Sequence, residues 1–327
     1  MPGGARQRRR LDVGAELDAA RQGSHRAVAR LVSVVADGGP QLREVARALA
    51  DGTPATAWVL GLTGPPGVGK STTVSALVTA LRAQGSRVGV LAVDPSSPFS
   101  GGALLGDRVR MGAHALDDGV YVRSMASRGH LGGLAATTPQ AVRVLEAAGV
   151  DVVVVETVGV GQSEVEVAGL ADTTVVLLAP GMGDGVQAAK AGILEVADVL
   201  AVNKADRDGA DATVRELRQS IALGADGRAP GDWRPSVVRT VAARGEVDEL
   251  LEALQQHREW STAHGRADVV RRRRAAVEVR ALALADLGRR FGELGSGGLL
   301  DDVAGQVAGG TLDPFGAADR LVAAVEG

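Results

Sequence analysis

Cysteine is absent from the 327 residues. That excludes a disulfide framework, a thiolate metal site and a cysteine nucleophile. Aromatic residues are scarce, with three Trp, three Phe and one Tyr. They are too few for the platforms on which proteins stack nucleic-acid bases. Neither sign of charge dominates: 36 Lys and Arg face 39 Asp and Glu, for a net charge of −3. No global basic field therefore draws the chain to nucleic acid. No apolar run reaches ~18 residues, so no transmembrane helix and no membrane partner are expected. The segment MPGGARQRRRLDVG is basic but leads into no apolar core, which makes it no secretory signal and makes a cytoplasmic protein the expectation. Lysine occurs only at 70, 190 and 204, and asparagine only at 203. A coding bias toward Arg, Ala, Gly and Val accounts for the scarcity. The few that remain fall in the segments that carry the chemistry.

What is present is a globular composition, 45% hydrophobic and 23% charged, over a length that fits one large α/β unit with attachments or two domains. Residues 1–10 read as a disordered basic tail. Residues 11–52 read as an N-terminal helical segment, with Leu17, Ala20, Val28, Leu31, Val32, Val35, Leu42, Val45 and Leu49 at helical spacing. The break at Asp37-Gly38-Gly39-Pro40 divides it into two helices. From 53 to 260, short apolar runs at 57–63, 87–93, 151–156, 173–179, 197–203 and 236–241, and a weaker one at 119–123, read as strands. Helices are expected near 70–83, 138–148, 186–195, 211–222 and 246–257. Continuous apolar strands separated by helices imply a mainly parallel sheet covered on both faces. Residues 261–327 read as helices over 265–292 and 298–326. The run Arg271–Arg274 reads as a solvated face with some salt bridges, because four successive helical positions spread around the cylinder.

Gly64-Pro65-Pro66-Gly67-Val68-Gly69-Lys70-Ser71 is a complete GxxxxGKS phosphate loop between an apolar strand and a helix. Its glycines let backbone N–H groups curl around phosphates, and the helix N-terminus adds its dipole. Lys70 reaches the β- and γ-phosphates, and the Ser71 hydroxyl can ligate Mg2+. About 130 residues later, Asn203-Lys204-Ala205-Asp206 ends another strand. The Asp206 carboxylate can accept two N–H bonds from guanine, a pair that adenine does not offer, which selects GTP over ATP. Asn203 and Lys204 would brace that loop and the base. Glu156 ends the run Val152–Val155 and can hold a Mg2+-bound water, while Gly159 allows a backbone N–H to meet the γ-phosphate. Asp94 and Asp107 are candidates for positioning the attacking water and supporting Mg2+, the alternative for Asp107 being a loop carboxylate or helix cap. Arg108, Arg110 and Arg128 read as solvated loop arginines. Backbone N–H groups of Val241, Ala242 and Ala243 can touch the guanine oxygen. The loop Gly181-Met182-Gly183-Asp184-Gly185-Val186-Gln187-Ala188-Ala189-Lys190 follows a strand and reads either as an ordinary connector or as a mobile polar loop. The five histidines show no ligand-like spacing.

The series GPPGVGKST, VLAVDPSSPFSGGALLGDRVRM, VVVVETVGVGQSEVEVAGLAD and APGMGDGVQAAKAGILEVADVLAVNKAD resembles the MeaB/ArgK family, the methylmalonyl-CoA mutase-associated GTPases. The resemblance spans roughly residues 11–326. It implies a P-loop GTPase fold with helical extensions at both ends. It also implies GTP/GDP and Mg2+ as ligands, slow hydrolysis, and a homodimer joined through the C-terminal arm of 261–327. The implied partner is an adenosylcobalamin-dependent acyl-CoA mutase whose cofactor loading is gated and whose activity is protected. On this chain, Gly64–Thr72 would cradle the phosphates, and Ser71, Asp94, Asp107 and Glu156 would surround Mg2+ and the γ-phosphate. Gly183, Asp184, Gln187 and Lys190 would form the loop that senses the partner. Departures are Gly185, Val186 and Ala191 in that loop and Val241-Ala242 where the family usually reads Ser-Ala. Three rivals make other demands. A metallochaperone GTPase requires a Cys/His-rich tract, a transport-associated ATPase or kinase requires an adenine site, and a nucleotide-stabilised scaffold requires no turnover.

Overall fold

Seven apolar runs pair side by side in the computed structural model. It describes residues 10–37, 41–51, 57–95, 112–114, 116–127, 137–157, 163–182, 193–223, 231–296 and 298–326. The strands are β1 (Trp58–Thr63), β2 (Val88–Pro95), β3 (Val120–Ser127), β4 (Val152–Thr157), β5 (Thr173–Leu178), β6 (Val199–Asn203) and β7 (Ser236–Thr240). Their order is β3-β2-β4-β1-β5-β6-β7, and every pairing is parallel. Helices α1 (Val13–Arg21), α2 (His25–Asp37) and α3 (Leu42–Ala50) precede the sheet. Within it come α4 (Lys70–Ala83), α5 (Thr138–Ala147), α6 (Ser163–Leu170), α7 (Ile193–Val196) and α8 (Ala210–Leu223), with α9 (Asp248–Ala263) after the last strand. Helices α10 (Arg266–Ser296), α11 (Leu299–Ala308) and α12 (Pro314–Glu326) follow.

Strands buried on both faces need no polar alternation, and β1, β4, β5 and β6 are buried at every residue. Alternate side chains still serve different faces. Trp58, Leu60 and Leu62 of β1 pack with Val74, Leu77 and Val78 of α4 and Leu250 and Leu254 of α9. On the other face, Val59 of β1 and Val153 and Val155 of β4 join Leu17, Leu31, Val35 and Val45 of α1–α3 and Leu145 of α5. The N-terminal helices thus complete one face of the sheet core. Helix α8 covers β5 and β6 through Val214 and Leu217 against Val176, Leu178, Leu200 and Val202.

The structure departs from the sequence reading at four places. Residues 11–50 form three helices rather than two, because Gly23 takes φ +90° after α1 and the Ser24 hydroxyl accepts the Ala27 N–H to start α2. Residues 298–326 form two helices, broken at Gly310 (φ +69°) and restarted where Asp313 accepts the N–H groups of Phe315 and Gly316. Helix α6 lies where no element was expected, although Val167, Leu170 and Ala171 stand at helical spacing and are buried. Its site is made by Gly61, where a Cβ would lie 2.8 Å from Val167 Cγ2 and 2.9 Å from Ala171 Cβ. The basic run is not uniform either. Arg271 pairs with Asp268, but Arg274 donates through Nε to Leu170 O (2.7 Å) and through Nη2 to Asp172 Oδ1 (2.9 Å). Of the helix expected at 186–195, Ile193–Val196 is described, and 183–192 lie outside the described residues.

All three tryptophans gather at the amino end of the sheet. Trp58 Nε1 donates to Thr173 Oγ1 (3.1 Å), which contacts His257 Nδ1 (2.8 Å). His257 Nε2 faces Asp198 Oδ1 at 3.3 Å. Trp233 donates to Asp198 O (2.8 Å), and Trp260 stacks on His257 with ring centroids 5.7 Å apart. The buried His257 is thereby fully engaged, as a buried polar group must be.

The chain divides into two compact units, residues 1–274 and 275–327. Within the second, α11 and α12 bury Val303 and Ala317, while Leu284, Leu287, Phe291, Leu300 and Phe315 stay exposed. Among the described residues, no helix is long and apolar enough to cross a membrane.

Candidate functional site

Strand β1 lies between β4 and β5, with β2 beyond one and β6 beyond the other. Such a reversal of strand order opens a crevice at the carboxyl ends of the strands. The phosphate loop leaves β1 there. Gly64 (φ +144°) is required twice over, since a Cβ would sit 2.2 Å from Leu177 O. Gly69 (φ +97°) is the N-cap of α4, and its Cβ would meet Asn203 Nδ2 at 2.5 Å. Val68 is buried and pins the loop into the core; Pro66 and Gly67 are exposed, Pro65 is half-buried, and Thr72 is exposed on the first turn of α4. The loop and the first turn of α4 bring backbone N–H groups and the helix dipole to one place. Lys70 Nζ folds back over the loop, donating to Gly64 O (2.7 Å) and Pro65 O (3.0 Å).

Beside it, Ser71 Oγ donates to Glu156 Oε1 at 2.6 Å. Glu156 is 3% exposed and pairs in register with Leu62 of β1 and Ala92 of β2. One residue on, Thr157 Oγ1 donates to Thr63 Oγ1 (2.9 Å), tying the ends of β4 and β1. The backbone of Asp94 lies in β2 opposite Ala126, two residues beyond Ala92, and so at the same sheet edge. Asp107, Gly159, Gly183, Asp184, Gln187 and Lys190 lie outside the described residues, as do Arg108, Arg110 and Arg128.

The second loop follows β6. Asn203, 3% exposed, donates through Nδ2 to Val68 O (2.8 Å). Its Oδ1 accepts from Thr240 Oγ1 and Ala242 N, both at 3.1 Å. Lys204 has φ +58°, the one positive φ outside glycine among the described residues, and its Nζ donates to Gly67 O (2.6 Å). The chain's single asparagine and one of its three lysines therefore clamp three loops into one rim. Of the three residues expected to offer N–H groups to a base, Val241 N donates to Glu246 O (3.0 Å) and Ala242 N to Asn203. Ala243 is exposed. Asp206 stands on this rim, its side chain 34% exposed, with Arg244 Nη2 at 3.2 Å from Oδ2. Sequence reading gave no role to Thr63 and Thr157, each at the end of a strand, to the side chain of Thr240, which donates to Asn203 Oδ1, or to Arg244, whose reach to Asp206 no local pattern announces.

The family model for the methylmalonyl-CoA mutase-associated GTPase MeaB matches residues 28–294. A putative GTPase of Pyrococcus abyssi is 43% identical over 308 residues, covering 94% of this chain and 95% of that one. The GTPase ArgK of Escherichia coli is 39% identical over 267 residues, 80% of each chain. The crystal structure of a LAO/AO transport system kinase superposes with a TM-score of 0.68 at 27% identity, over 96% of this chain and 98% of that one.

Proposed function

The chain belongs to the MeaB family of mutase-associated GTPases, and on that footing we propose that it is a Mg2+-dependent GTP switch attending an adenosylcobalamin-dependent acyl-CoA mutase. The observation that carries this reading is the clamp of Asn203 and Lys204 on Val68 and Gly67, which fixes a base-side loop to a phosphate loop. Asp206 then supplies the paired acceptor that guanine fits and adenine does not. Lys70 exchanges its two carbonyl contacts for phosphate oxygens, a stronger charge-assisted bond. Binding energy thus opens the loop for the triphosphate.

Ser71 and Glu156 meet as two hard oxygen donors at 2.6 Å, a donor set that suits a small divalent cation also held by phosphates and waters. Mg2+ held there supplies neutralisation of the charge that develops on the phosphoryl oxygens. Asp94 and Asp107 orient the attacking water and support that site. Gly159 presents its N–H to the γ-phosphate. The loop carrying Gly183, Asp184, Gln187 and Lys190 follows β5 in sequence and reports the nucleotide state to the mutase. Residues 261–327 serve as the arm that joins two copies in the cytoplasm, and the exposed Leu284, Leu287, Phe291 and Phe315 supply apolar surface for it.

The test is GTP turnover with and without purified methylmalonyl-CoA mutase, for the unaltered chain and for Asp184→Ala with Lys190→Ala. Stimulation of the former and none of the latter is expected. Equal turnover by the unaltered chain with and without mutase refutes the partner.

A further inference from the structure

A carboxylate that selects a base must present both oxygens in one plane, yet rotation about the terminal bond of an aspartate is soft and broadly distributed. On this rim Asp206 is restrained by Arg244, which belongs to none of the nucleotide-binding motifs. Arg244 ends the short helical turn Ala242–Arg244 that follows β7. That turn is a fixed platform. Arg244 N donates to Val241 O (2.8 Å), Gly245 (φ +78°) closes the turn onto Ala242 O (3.1 Å), and Val241 pairs with Glu246. The platform is also fastened to the loop that bears Asp206, by Ala242 N on Asn203 Oδ1 and by Ala205 N on Thr240 O, both at 3.1 Å. With both backbones fixed together, the guanidinium at 3.2 Å from Oδ2 sets the carboxylate's rotation. An ionised carboxylate has about four acceptor sites, so one arginine contact leaves an acceptor position on each oxygen for the N1 and exocyclic N–H groups of guanine.

We propose that Arg244 is a positioning residue for base selection: it holds Asp206 so that both carboxylate oxygens engage guanine at once. The inference rests on the reading of Asp206 as the base acceptor. It deepens that reading by naming what turns one acceptor into a paired one.

The experiment measures dissociation constants for GDP, IDP and ADP with the full chain, Arg244→Ala and Arg244→Lys. IDP lacks the exocyclic amine, so it needs only one carboxylate oxygen and tolerates a rotating carboxylate. The expected result for Arg244→Ala is GDP weakened about three- to fivefold, as for an ion pair whose arginine is largely exposed, with IDP changed less than about 1.5-fold on the same grounds. The GDP-to-IDP preference then falls. Arg244→Lys, a point charge without the planar fork, falls between. Equal weakening of GDP and IDP would mark Arg244 as a mere brace and overturn the proposal. So would unchanged binding, or tighter GDP binding, which would mark it as a competitor of the base. Equal GDP and ADP affinity in the unaltered chain would instead remove the acceptor reading itself, and this inference with it.

Discussion

Replacing Asn203 by alanine should cost the protein both stability and nucleotide affinity. The side chain is buried and makes three bonds, to Val68 O at 2.8 Å and to Thr240 Oγ1 and Ala242 N at 3.1 Å. At ~1 kcal/mol net for each bond, their loss removes ~3 kcal/mol. The Val68 carbonyl and the Ala242 N–H lie at buried residues, and leaving them without partners adds ~1 kcal/mol after partial relief by water. The total of ~4 kcal/mol corresponds to a drop of ~8–16 °C in melting temperature for a unit of this size. GDP affinity should fall with it, because the phosphate loop and the base loop no longer share a brace. Asn203→Asp separates the contributions. It keeps both acceptor contacts but turns a carboxylate oxygen toward the Val68 carbonyl, so at neutral pH it should be destabilised at least as much as Asn203→Ala. Melting followed by far-ultraviolet circular dichroism, with GDP titration on the same samples, is the assay. A shift below ~2 °C in Asn203→Ala, under ~1 kcal/mol on the same scale, together with unaltered GDP binding, would refute the clamp.

Two further outcomes are expected. Gly61→Ala drives a methyl to 2.8 Å from Val167 Cγ2 and should destabilise by ~1–3 kcal/mol of overpacking. Val167→Ala in the same chain should restore part of that loss, whereas simple addition of the two costs in the double mutant would show that the pair does not interact. Asp117 sits in a two-pronged pair with Arg82, at 2.9 Å and 2.8 Å. The Arg82 hydrogen bond, and then the Gly119 N–H, hold its carboxyl below the ordinary carboxylate value. A folded value below an unfolded value near ~3.9 gives a stabilisation present above about pH 4 and lost as pH falls through the folded value. The melting temperature of Asp117→Asn should therefore decline less steeply below about pH 4 than that of the unaltered chain, and parallel curves would refute the pairing's role.

The central strands were legible because burial on both faces leaves uninterrupted apolar runs, as in Val152–Val155 and Val199–Val202. The phosphate loop and NKAD were legible because phosphate and base chemistry tolerate few residue types at those spacings. Helix α6 was not, because its two turns are too short for a clear period and the close seat that Gly61 gives it lies on a strand about 100 residues away in sequence. The break at Gly23 was hidden for a different reason: a lone Gly-Ser pair inside an amphipathic stretch is a weaker stop than the Gly-Gly-Pro that follows it. Arg244 was given no role at all, and Arg274 was read as part of a solvated face. Their partners stand 38 and 102 residues away, and 33 arginines give no local means of telling an anchored one from the rest.

The gathering of Trp58, Trp233 and Trp260 about His257 has a spectroscopic consequence. These are the only tryptophans in the chain, and Trp58 opens the strand whose other end carries the phosphate loop. Six residues of extended chain, ~20 Å, separate the indole end of that strand from the nucleotide end. Intrinsic emission therefore reads the knot of β1, β5, β6 and α9 as a single chromophoric cluster. Its red shift on denaturation reports exposure of that knot. Occupancy of the opposite rim leaves it dark, so a labelled nucleotide is the probe that sees the site, and two-colour unfolding separates loss of the site from loss of the sheet.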